Sequence, residues 1–303
     1  MSKKNGPEGQ YNNWFIVYLD TCDVMSAGTV IFSAVFAGVV AIAVTIAIER
    51  WGGVVGGILG TIPSTIVPAS VGMYLISTSE EFLESMAIIP FGMMLNALFL
   101  GVWLILPSRF SNVDNLLTKT TILSVAFWAV AGSFLFFALE SSAGSSLSPQ
   151  SLAGLGFCGV FIVALYFNLK QVPAPPGHRK VSIRTLLVRG MMAATAIGIA
   201  VMLSHLHQPL LAGLASVFPA IFLTTMVALW HAQGPSVPKG AAGPMMLGGM
   251  SVAVFALIAM ATFPRYGPWY GAFISWVGAI LLWSIPAFLV LRTYRLRSVQ
   301  ASN

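Results

Sequence analysis

Runs of about 20 apolar residues recur along this 303-residue chain, and they constrain its fold more than any other feature. Hydrophobic residues make up 57% of the sequence and charged residues only 8%, whereas a soluble domain carries about a quarter charged residues. Each run is long enough to span the hydrocarbon core as a helix, and none shows the alternation of a barrel strand. The sequence therefore predicts an all-α, polytopic membrane protein.

Nine of these runs are predicted to cross the membrane. They are residues 28–48, 53–77, 84–106, 120–140, 151–169, 185–204, 209–232, 242–263 and 270–292. Residues 11–26 are too polar and too short to cross, and we expect an interfacial segment there. Nearly all charged residues then fall in loops, tails or helix ends. The deepest one, Arg189, is expected to extend its side chain to the interface.

Basic residues collect on one side of this map, which holds 12 of the 15 Lys and Arg residues. The other side holds Lys3, Lys4 and Arg265. By the positive-inside rule, the N-terminus lies outside or in a lumen and the C-terminus lies in the cytosol. The chain has no soluble domain on which a basic patch could bind nucleic acid. The basic residues therefore indicate attraction to an anionic cytosolic leaflet.

A weak internal repeat organises the nine predicted crossings. An offset of 156 positions aligns Gly57 with Gly213 and Pro63 with Pro219, and it places the first two crossings on the sixth and seventh. The third crossing falls near the eighth, where Pro90 matches Pro244 after a two-residue gap. The resulting plan is 4+1+4, with the two groups inverted because one crossing separates them. The predicted units are residues 1–27 (tail and interfacial segment), 28–140 (first four-helix repeat), 141–184 (linker helix and cytosolic loop), 185–292 (second four-helix repeat) and 293–303 (tail).

Prolines interrupt the second and seventh crossings at corresponding positions, Pro63 and Pro219. Each proline removes an N–H and frees main-chain carbonyls, which are costly in lipid unless a partner is present. Hydroxyl side chains of the same helix would satisfy them in a merely kinked helix, whereas a solute would satisfy them in a transport site. The candidate substrate-binding residues are Thr61, Pro63, Ser64, Thr65, Asn96, Ser216, Pro219, Thr224 and Thr225.

A second group of side chains offers a metal site. Carboxylate and imidazole together suit a divalent transition metal. The carboxylates occur in one turn and the imidazoles in another, and both turns are predicted to lie on the outer side of the membrane. The candidate ligands are Glu80, Glu81, Glu84, His205 and His207. The alternative is that these are ordinary solvated residues at helix ends, where acidic side chains suit a helix N-terminus.

These patterns favour a secondary transporter that moves a small polar solute or ion through a central site at the two interrupted helices. A divalent metal-ion transporter and a non-transporting membrane scaffold or complex subunit are the alternatives. The hydrolase, phosphate-binding and zinc-protease motifs are missing, so we expect no enzyme activity, and no cofactor is implied.

Overall fold

The computed structural model describes residues 8–51, 62–110, 115–141, 146–170, 182–234 and 236–301. Within these ranges the chain is helical and contains no strand. The helices are α1 (Glu8–Trp51), α2 (Ile66–Ile76), α3 (Ser79–Arg109), α4 (Leu116–Glu140), α5 (Pro149–Lys170), α6 (Ile183–His205), α7 (Pro209–Ser216), α8 (Ala220–Gln233), α9 (Ser236–Ala279) and α10 (Ile285–Ala301), with a π-helix at Ile280–Ser284. In this part of the chain, seven helical segments are long and apolar enough to cross a membrane, so the predicted all-α, multi-pass class is confirmed.

The third to sixth predicted crossings correspond to α3, α4, α5 and α6. Each helix extends beyond the predicted apolar run, because capping residues and helix-end polar residues continue the regular backbone. Thr78 and Glu81 start α3 with a capping box, in which Glu81 Oε2 accepts from Thr78 N at 2.8 Å and Thr78 Oγ1 accepts from Glu81 N at 3.3 Å. Ser182 starts α6 in a similar way by accepting from Thr185 N at 3.2 Å.

The backbone of residues 11–26 continues into the first crossing without interruption. The structure has a single 44-residue helix, Glu8–Trp51, whose apolar part is Ala27–Ala47. The predicted interfacial segment is therefore helical and continues into the first crossing.

Helix α3 lies at the centre of the bundle and packs against α4, α5, α7 and α9. Its large side chains Phe82, Phe99 and Trp103 are fully buried. Helix α4 lies at the periphery instead, where Val130 and Phe134 are exposed. The central position of α3 brings the middle of this helix beside the interrupted seventh crossing.

The long apolar stretch at residues 240–293 contains a helical hairpin rather than one continuous helix. A continuous helix of that 54-residue length would extend about 80 Å, far beyond the roughly 30 Å of hydrocarbon. The chain reverses at Gly267, whose φ of 75° is readily adopted only by glycine. Thr262 Oγ1 and Ser275 Oγ then lie 2.7 Å apart, so the helix segments on either side of Gly267 pack antiparallel.

Candidate functional site

The seventh predicted crossing is interrupted where the sequence placed its proline. Helix α7 ends at Ser216 and α8 begins at Ala220. Pro219 is buried, and because it lacks an N–H it cannot continue the α7 hydrogen-bond ladder. The chain closes α7 with tighter bonds instead, from Val217 N to Leu214 O at 3.3 Å and from Phe218 N to Ala215 O at 3.1 Å. Two short helices therefore meet within the bundle at a non-helical segment of three residues.

Asn96 of α3 supplies the polar partner that this interruption requires. Its Nδ2 donates to the Val217 carbonyl at 2.8 Å, and its Oδ1 accepts from Trp128 Nε1 of α4 at 2.9 Å. Only 2% of Asn96 is exposed. The side chain thus connects α3 and α4 to the interruption, and it occupies a main-chain carbonyl at a position where a solute is one of the two predicted partners.

Other polar groups around the same interruption bond within their own helix. Ser216 Oγ donates to Gly213 O at 2.6 Å, and Thr224 Oγ1 donates to Ala220 O at 2.8 Å. Gly213 approaches α3 so closely that a Cβ at this position would overlap the Ser85 carbonyl oxygen. The α7 backbone is therefore held tightly against α3 just before it breaks.

The second predicted crossing is non-helical at its proline. Residues 62–65 lie outside any helix, and α2 begins at Ile66. Pro63 is buried, while Ser64 and Thr65 are half-buried. Thr65 precedes α2 without making a side-chain capping bond. Thr61 and the glycines at positions 52–60 lie outside the described residues.

Arg189 is buried rather than extended to the interface, so that prediction is wrong. Its side chain is 6% exposed and lies between α1, α6 and α8. Three threonines accept its hydrogen bonds. The Nη1–Thr45 distance is 2.8 Å, the Nη2–Thr225 distance is 2.8 Å and the Nε–Thr224 distance is 3.1 Å. These acceptors offset part of the cost of burying the guanidinium, because each N–H that leaves water keeps a hydrogen-bond partner.

The three threonines are oriented to accept from Arg189. Thr45 Oγ1 donates to Ala41 O at 2.8 Å and Thr225 Oγ1 donates to Ile221 O at 2.7 Å, so each hydroxyl proton points at its own helix and the oxygen lone pairs face the arginine. Two of the predicted substrate-binding residues, Thr224 and Thr225, therefore bind a side chain of the protein in this structure.

One pair of the predicted metal ligands comes together. His207 Nδ1 lies 2.6 Å from Glu81 Oε1, and this pair joins the first turn of α3 to the turn before α7. Among the residues that the structure describes, no group of three or more His, Cys, Asp or Glu side chains is placed to hold a metal ion. Glu80, Glu84 and His205 thus do not complete a ligand set with this pair.

The structure gathers some of the nominated residues and separates others. Asn96, Ser216 and Pro219 lie together at the α7–α8 interruption, whereas Thr224 and Thr225 reach Arg189 on α6. Sequence reasoning missed the roles of Arg189 and Thr45. The available signal was a charged residue placed several positions inside a predicted crossing, which marks a functional candidate by default.

Comparison with protein-family models, with curated proteins and with solved structures finds no match for this chain.

Proposed function

We propose that this chain is a secondary transporter, with nine crossings in a 4+1+4 inverted arrangement, that moves a small polar solute or ion past two interrupted helices. The observation that carries the proposal is the α7–α8 interruption, where main-chain carbonyls lie inside a membrane bundle at residues 217–219. Irregular backbone at this depth is tolerated where it is buried in protein or lines a cavity, and transporters use it to bind their cargo.

The count of nine adds two crossings to the seven long apolar segments. The antiparallel packing of Thr262 against Ser275 supports two crossings within residues 240–293. The 11-residue helix α2 supports a second crossing, of which it would form the later part.

Contacts between the proposed repeats support their inverted relationship. In a two-fold arrangement, equivalent residues touch each other only at the symmetry axis. The 156-residue offset makes Ala194 the equivalent of Gly38, and a Cβ on Gly38 would lie 3.2 Å from Ala194 Cβ. Helices α1 and α6 thus meet where the repeat predicts an axis.

The direction of these helices supports inversion rather than simple duplication. Ile42 packs on Gly190 and Ala34 packs on Gly198, so α1 and α6 run antiparallel. The ring centroids of Phe82 and Phe263 lie 4.8 Å apart, and Met93 lies against Gly249, so α3 and α9 also run antiparallel. Antiparallel equivalents require an axis in the membrane plane, as in inverted-repeat transporters.

In the proposed mechanism, the Asn96 amide holds the Val217 carbonyl when no solute is bound. A solute with a hydrogen-bond donor, or a cation, replaces the amide and leaves it free to bind the solute in turn. Rocking of one repeat against the other then opens the site to the opposite side. The polar groups at the interruption are neutral amides, hydroxyls and carbonyls, which suit a neutral or zwitterionic solute or a dehydrated cation.

Flux measurements in proteoliposomes test this proposal. The panel contains amino acids, polar organic solutes and metal ions. We expect Pro63→Ala combined with Pro219→Ala to lower flux of the transported compound at least tenfold while the protein stays folded, because both interruptions can then close into regular helix. Pro149→Ala is the control, since proline at the first position of a helix disturbs no hydrogen bond. Undiminished flux in the double variant would contradict the proposed site.

A further inference from the structure

An apolar groove runs along the outside of α6, between α4 and α7. Its volume is about 660 Å³, within the range of about 300 to 1,000 Å³ typical of ligand sites. Val188, Met191 and Ile199 form its outer edge and are 49%, 69% and 43% exposed. These residues lie on a membrane-spanning helix, so the groove opens sideways into the hydrocarbon of the bilayer.

The groove is long. Its α6 wall extends from Val188 to Leu203, a length of about 22 Å at 1.5 Å per residue. A groove of this length that opens to the hydrocarbon suits one extended hydrocarbon chain.

The lining is suited to such a chain along its whole length. Leu211 and Leu214 of α7 form the inner surface together with Phe218 of the interruption, and Trp128 closes the α4 side. The Trp128 indole N–H already donates to Asn96, so the ring presents its apolar surface to the groove. A lipid chain placed here packs against the interruption at residues 217–219 and shields it from the rest of the bilayer.

A cation lies beyond one end of the groove. Arg184 precedes Val188 by four residues, so both lie on the same face of α6, and Arg184 is exposed. In a phospholipid an apolar acyl chain is joined to a phosphate. The acyl chain matches the apolar lining, and the phosphate matches the exposed guanidinium beyond its end. We propose that the groove binds one acyl chain of an anionic phospholipid, with the phosphate at Arg184. This proposal does not depend on solute transport.

Native mass spectrometry of the chain released from nanodiscs tests the proposal. The nanodiscs contain either dioleoyl phosphatidylglycerol or dioleoyl phosphatidylcholine. We expect one phosphatidylglycerol to stay bound per chain. Ala196→Phe fills the groove and should abolish retention, whereas Ala126→Phe, at an exposed position on α4, should leave it unchanged. Equal retention in the two variants would overturn the proposal, as would release of protein dimers without lipid.

The phosphate contact has its own test. Arg184→Gln should lower retention of phosphatidylglycerol about fivefold, the effect of losing one cation near an anionic headgroup. Arg292→Gln removes a different exposed arginine and should have no effect. Equal retention of the two lipids by the unaltered chain would overturn the headgroup assignment.

A crosslinking measurement on the unaltered chain keeps the proposal testable if Ala196→Phe does not fold. Phosphatidylglycerol with a diazirine in its acyl chain should label residues 191–203 of α6 in a saturable way. Ile162, on the exposed side of α5, should be labelled only in proportion to lipid concentration. Non-saturable labelling at both places would contradict a specific site.

Discussion

At the scale of single residues, polar side chains in this protein act as connectors between helices. Asn96 joins α3 and α4 to the interruption after α7, and Arg189 joins α1, α6 and α8. Both residues are buried, so hydrogen bonds to neighbouring helices take the place of their hydrogen bonds to water. Hydrogen bonds between membrane helices contribute about 1 kcal/mol each, and several of them together decide which helices stay adjacent.

Thr225→Val tests the Arg189 connection. The substitution keeps the shape of the side chain and removes one acceptor of the guanidinium, so we expect the free energy of unfolding to fall by about 1 kcal/mol. Unfolding by SDS in mixed micelles measures the change. Thr195→Val, at an exposed position on α6, should change stability by less than about 0.5 kcal/mol. Equal effects of the two substitutions would contradict a stabilising role for the Thr225–Arg189 bond.

At the scale of elements, small residues set how closely the helices approach. A glycine at position 213 lets α7 contact the α3 backbone, and a glycine at position 38 lets α1 contact the backbone of Gly190 in α6. Small residues serve this purpose in membranes because association there depends on packing and hydrogen bonds rather than on escape from water. Close packing of α7 on α3 also places the Val217 carbonyl within reach of Asn96.

Gly213→Ala should destabilise the protein by about 1 to 3 kcal/mol, because the added methyl group would overlap the Ser85 carbonyl and the Ile88 side chain. Gly154→Ala is the matched control. It lies in α5 with open space around the position of a Cβ, so alanine should be neutral or slightly stabilising there. The same SDS titration compares the two variants, and a Gly213→Ala protein as stable as Gly154→Ala would contradict the proposed close packing.

At the scale of the whole molecule, the number of crossings determines where the two ends lie. The proposed nine crossings would place the termini on opposite sides of the membrane, with the C-terminus in the cytosol by the positive-inside rule. In that proposal the antiparallel hairpin around Gly267 supplies two crossings, although apolar length alone indicates a single continuous stretch.

Labelling of introduced cysteines tests this topology. In a background with Cys22 and Cys158 replaced by serine, we expect Ser2→Cys to react with a membrane-impermeant maleimide in intact cells. Ser302→Cys should react only after the membrane is permeabilised. Reaction of both cysteines from the same side would require an even number of crossings and would remove the inverted arrangement from the proposed function.

The sequence by itself determined the features that depend on local chemistry. Apolar runs identified the membrane class and the positions of α3 to α6, and prolines marked the non-helical backbone at residues 62–65 and the interruption between α7 and α8. The acidic residue at position 81, three places after Thr78, matches the capping box that starts α3. These features follow from residue length, hydropathy and backbone geometry within a few positions of the chain.

Only the tertiary structure decided which polar groups are partners. The Asn96–Val217 bond joins residues 121 positions apart, and the Arg189–Thr45 bond joins residues 144 positions apart. Such pairs depend on how helices pack, and hydropathy carries no information about them, since a threonine facing an arginine has the same local sequence as one facing lipid. The groove between α4, α6 and α7 likewise exists only because three separate helices leave space between them.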